Sequence, residues 1–69
     1  MNNTEISELL KKERLSQNLT QDKLANLAGV TKRSIRYWEK GEKAMTLESA
    51  DKVFKALGIS ITIGKEDKQ

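Results

Sequence analysis

The sequence predicts a mainly α domain of four helices followed by one short strand. Two observations carry this. Apolar residues recur at helical spacing in four stretches, three of which are opened by a threonine and closed by a glycine. After Gly58 the period changes, and Ile59-Ser60-Ile61-Thr62-Ile63 alternates strictly.

The first helix is expected from about Thr4 to Gln17, with Asn3 or Thr4 as its cap and Ile6, Leu9 and Leu10 on one face. Arg14 continues that stripe at four-residue spacing and so points inward. The second helix runs from about Gln21 to Ala28, with Thr20 as N-cap, Leu24, Ala25 and Ala28 as its buried stripe and Gly29 as its stop. The third starts after Thr31 and ends near Lys40, before Gly41. The fourth starts after Thr46 and ends at Leu57, with Gly58 as a left-handed stop and Leu47, Ala50, Val53, Phe54 and Leu57 as its stripe. In the final segment every residue but Ser60 is β-branched, as strands prefer. A lone strand leaves its backbone groups unpaired, so its expected partner is the same strand of a second copy, giving an antiparallel ribbon through Ile59, Ile61 and Ile63. The other reading is an extended tail whose isoleucines pack on the parent domain. The expected organisation is a helical domain over residues 1–58, a dimerisation strand over 59–64 and a flexible tail over 65–69.

Size makes the second copy attractive. A chain of 69 residues buries only about 60% of its unfolded surface. With no cysteine and no histidine, neither a disulfide nor an ordinary zinc site braces it, and no metal or cofactor is expected. General base and nucleophilic chemistry also lack their commonest side chains, and the carboxylates of Asp22 and Asp51 sit singly on helix surfaces, so an enzyme is not expected. No apolar run approaches the roughly 20 residues needed to span a bilayer. The start, MNNTEISELL, does not resemble a secretory signal, and the expected location is the cytoplasm.

The net charge is only +3, but residues 31–43 hold five cations and two acids while the rest is nearly balanced. A local basic patch is the footprint of a polyanion-binding surface; a solvated face is the plainer alternative. On a wheel of about 100° per residue, Ile35 and Trp38 of the third helix fall together, with Glu39 at their border. Arg33, Arg36, Tyr37 and Lys40 occupy the opposite arc, and Lys32 and Ser34 flank it. Lys32 and Arg33 lie in the first turn, where the helix dipole favours acids. A nucleic acid would relieve that misplacement, since arginine and lysine donate to guanine O6 and N7 in a major groove. Tyr37 suits a thymine methyl or a phosphate. The N-terminus at Thr20-Gln21 offers backbone N–H groups to a phosphate, and Lys40 and Lys43 reach neighbouring ones. Arg14 and Glu39, opposite charges at the margin of one core, are expected to pair.

The run Arg14, Thr20-Gln21, Leu24-Ala25, Gly29-Val30-Thr31, Ser34-Ile35, Glu39, Gly41 resembles the Xre-type helix-turn-helix family of phage repressors and bacterial regulators. The resemblance covers about residues 6 to 58. It implies a four- to five-helix lambda-repressor-like domain whose recognition helix begins at Thr31. By position in that motif Lys32, Arg33 and Tyr37 face bases, Arg36 faces bases or backbone, Gln21 holds a phosphate, and Arg14–Glu39 matches a family ion pair. The closing stretch, Val53 to Ile63, resembles HipB-type antitoxins, in which the strand completes an intersubunit ribbon and the dimer both represses its own operon and binds a HipA-like kinase toxin. The resemblance thus implies a homodimeric repressor acting on double-stranded DNA at an inverted repeat, and an antitoxin of a HipBA-like operon. The alternatives are a module whose main task is neutralising a kinase-like toxin, and a regulator of this family without a toxin.

Overall fold

The computed structural model describes residues 2–59 of the chain. These form four helices, α1 (Asn3–Ser16), α2 (Gln21–Ala28), α3 (Lys32–Lys40) and α4 (Leu47–Ala56). Each begins at a short polar side chain that accepts a backbone N–H left over in the first turn. Thr20 accepts from Lys23, Thr31 from Ser34 and Thr46 from Ser49, as expected. At α1 the expectation of Asn3 or Thr4 is corrected to Asn2. Its side chain accepts from Glu5 N–H at 2.8 Å while Glu5 accepts from the Asn2 N–H at 3.0 Å. The carboxylate three residues on completes a reciprocal box that neither of the other positions offers.

All four helices end alike. A left-handed residue follows the last turn: Asn18 (φ 58°), Gly29 (75°), Gly41 (74°) and Gly58 (78°). The N–H of the next residue then reaches back to close the helix, Leu19 to Arg14, Val30 to Ala25, Glu42 to Tyr37 and Ile59 to Phe54. Leu19, Val30 and Ile59 also fold their side chains onto the core. Glu42 is the polar exception.

The core is built from Ile6 and Leu10 of α1, Leu24 and Ala25 of α2, Ile35 of α3, and Ala50, Val53, Phe54 and Leu57 at α4. α2 packs against both α3 and α4, and α1 packs against α3. Leu9, Ala28 and Trp38 are only partly buried at its edge. Leu47 departs from the expected stripe: it lies in the first turn of α4 and is 66% exposed. Two side-chain bonds tie helix ends together. Asn3 Nδ2 donates to Gly41 O at 3.4 Å, and Gln17 Nε2 to Leu57 O at 2.6 Å.

Among the described residues there is no strand. Ile59, expected to open the ribbon, is instead the closing residue of α4: its N–H is taken by Phe54 O at 3.0 Å and its side chain lies on the parent core. Ile61 and Ile63, and the domain bounds set at 64 and 65, lie outside the described residues. Among those described, no helix is long and apolar enough to cross a membrane.

Candidate nucleic-acid interface

α3 presents two unlike faces. Ile35 is fully buried and Trp38 leans on the core, so the axis of the helix is fixed from behind. Arg33, Arg36 and Lys40 are exposed, and with Tyr37 and Glu42 they line one surface depression. The expected arc is therefore present as a continuous surface. Glu42 had no role in the sequence reading; it follows Gly41, and only the closing turn brings it to the rim.

The flanking residues fill in the site. Thr31 O–H donates to Ser34 Oγ at 3.0 Å while Thr31 Oγ1 accepts the Ser34 N–H at 3.1 Å, so both hydroxyls are engaged in starting α3. Lys43 Nζ stands 4.7 Å from the centroid of the Tyr37 ring. That contact orients the phenol and places two expected contact residues side by side. Lys32 differs from expectation. The sequence offered no structural partner for its charge in the first turn; its Nζ lies 3.6 Å from Asp22 Oδ2 in the first turn of α2. Both side chains are more than half exposed, so the pair is worth little to stability, but it leans Lys32 toward α2. A charge of the right sign at the adjacent helix start was the available signal.

Behind this surface Arg14 and Glu39 pair as expected. Arg14 Nε and Nη2 meet Glu39 Oε2 and Oε1 at 2.6 and 3.0 Å, and Nη1 donates to Leu19 O at 2.7 Å. The two side chains are 9% and 4% exposed, so the bidentate geometry is what makes the burial tolerable. Gln21 belongs to the same cluster: its Nε2 donates to Glu39 Oε1 at 3.2 Å. An amide nitrogen carries two hydrogens, so one is committed inward while the other, with Thr20, remains at the start of α2. Buried acid and half-buried amide are thus one network. Among the described residues no group of three or more acidic, histidine or cysteine side chains converges as a metal site would require.

Two short helices at a fixed angle, the second with a buried back and a cationic front, match a known pattern. The family model described as helix-turn-helix (HTH_3) matches residues 10–63. The chain belongs to the Xre-type helix-turn-helix family. Within this helix-turn-helix, α2 and α3 are the paired helices, and Gly29 lies in the turn between them. A curated relative, the type II methyltransferase M1.ScrFI of Lactococcus lactis subsp. cremoris, is 50% identical over 42 residues, covering 56% of this chain. The chain spans only 11% of that enzyme's length, so the likeness is confined to a small part of the relative.

Proposed function

We propose that this helix-turn-helix protein is a non-enzymatic, sequence-specific transcriptional repressor that binds an inverted-repeat operator as a homodimer in the cytoplasm. The observation that carries the reading is α3 itself: Ile35 anchors it to the core while Arg33 and Arg36 stand free on the opposite side. Bases are assigned to Lys32, Arg33, Tyr37 and Arg36. Phosphates are assigned to Gln21 and Thr20 at the start of α2 and to Lys40 and Lys43 beyond α3, with Thr31 and Ser34 fixing the start of the recognition helix. In a two-fold dimer the two α3 helices enter successive major grooves about 34 Å apart. The dimer is supported by the small core and by the alternating Ile61-Thr62-Ile63 sequence. Ile59, whose N–H closes α4, would join that ribbon to the helical domain.

The test is a titration against the DNA upstream of the gene over a salt series. With 6–10 phosphates contacted, affinity falls by roughly 10³–10⁵ between 50 and 200 mM salt. A protected inverted repeat in a footprint supports the operator; a flat salt response defeats the reading.

An antitoxin role is supported by the Val53 to Ile63 sequence, which resembles the close of HipB-type antitoxins. Its partner is a HipA-like kinase encoded beside this gene, and co-purification of the two proteins tests it. Absence of any such neighbour leaves a regulator of this family without a toxin. The likeness to the methyltransferase carries no argument for methyl transfer by this chain.

A further inference from the structure

The exposed arc of α3 is made almost wholly of groups that donate hydrogen bonds and cannot accept them. Arg33, Arg36 and Lys40 have no acceptor atom. The nearby side chains that can also accept, Gln21, Thr31 and Ser34, lie at the margin of this arc, and each already holds a hydrogen bond within the protein. Gln21, an amide of the kind that reads adenine bidentately, sits at the start of α2 and not on α3, and its Nε2 donates to Glu39 Oε1 at 3.2 Å. The hydroxyls of Thr31 and Ser34 bond each other at 3.0 Å. Lys32 leans on Asp22 at 3.6 Å. Arg33 and Arg36 are left as the two forked donors, and both line the same depression, so they project to one side.

A fork of two donors matches only one base edge in the major groove. Guanine shows two acceptors, O6 and N7; adenine and cytosine each show a donor, and thymine one acceptor and a methyl group. Resting on the DNA-binding reading above, we propose that each operator half-site is specified by two guanines, one read by Arg33 and one by Arg36. The residues are three apart, a rise of about 4.5 Å along the helix. Base pairs are spaced about 3.4 Å, so the two guanines lie one or two steps apart. Glu42, the carboxylate at the rim, suits the cytosine N4 amino group of a G·C pair. Tyr37, turned by Lys43, lies beside the fork and favours a thymine methyl next to the guanine pair.

In vitro selection with the full chain from a pool of random duplexes tests this. Two guanines per half-site, one or two steps apart, are expected to be enriched. Replacing either with 7-deazaguanine, which lacks the N7 acceptor, is expected to weaken binding roughly tenfold. Arg33→Ala and Arg36→Ala should each abolish the preference at one of the two positions and leave the other. Both residues are exposed, and the 7-deazaguanine measurement leaves the protein unaltered, so neither readout depends on the variants' stability. Enriched sites without paired guanines, or sites indifferent to the loss of N7, overturn the inference. Salt-dependent binding with no enrichment overturns it while leaving DNA binding intact. No retention of duplex at low salt defeats the DNA reading itself.

Discussion

Arg14, Glu39 and Gln21 show how one buried charge pair reaches the surface. Removing one member leaves the other buried and unpaired. Arg14→Ala is expected to cost about 3–5 kcal/mol in urea denaturation, whereas Arg14→Met with Glu39→Leu should fall much closer to wild type, because both charges leave together. Gln21→Ala has a different signature. Gln21 is neutral and its surface N–H is assigned to a phosphate, so its loss should weaken binding to every duplex by a similar factor and leave the salt slope unchanged. A loss confined to one sequence would make Gln21 a base reader instead. The pairing of Arg14 with Glu39 was legible because Arg14 interrupts an apolar stripe at four-residue spacing and Glu39 borders another. The third partner was not, since helical periodicity locates a side chain on its own helix and says nothing of which of two neighbouring elements its polar tip will choose. The same blindness hid Asp22 beside Lys32 and Glu42 in the depression lined by Arg33 and Arg36.

At the scale of elements, starts and stops carried most of the legible information. Thr20, Thr31 and Thr46 cap where a threonine before an apolar period says they should. Asn18 is a less legible stop than glycine, yet asparagine is the other residue that enters the left-handed region readily. The pairs Asn18-Leu19, Gly29-Val30 and Gly58-Ile59 share one grammar, a left-handed residue and then an apolar one that folds back. Ile59 carries both readings for that reason: a helix-closing residue and the first residue of a strand look the same in an alternating sequence. Gly29 isolates the backbone contribution, because a methyl group there would meet nothing within 4 Å. Gly29→Ala should therefore cost about 1–2 kcal/mol, from the left-handed conformation alone, and Gly29→Asn distinctly less; thermal denaturation of the two variants decides it. Equal losses would mean that the turn, not its φ angle, dislikes any side chain.

For the whole molecule, the four helices and most of the core were legible in the hydrophobic period; Leu9, Ala28 and Trp38 are only partly buried, and Leu47 is exposed. If Ile61 sits in an apolar ribbon between two copies, Ile61→Lys should shift the protein toward monomer in sedimentation equilibrium and lower operator affinity in parallel. An unchanged dimer would place the self-association surface elsewhere. α3 has only nine residues, about two and a half turns, and a peptide of that length does not hold a helix in water. The reading head thus has no existence apart from the oily seat under Ile35. A defect anywhere in that seat would silence the regulator without touching DNA, and saturating operator, by holding the head in place, should in turn shield the entire fold from heat.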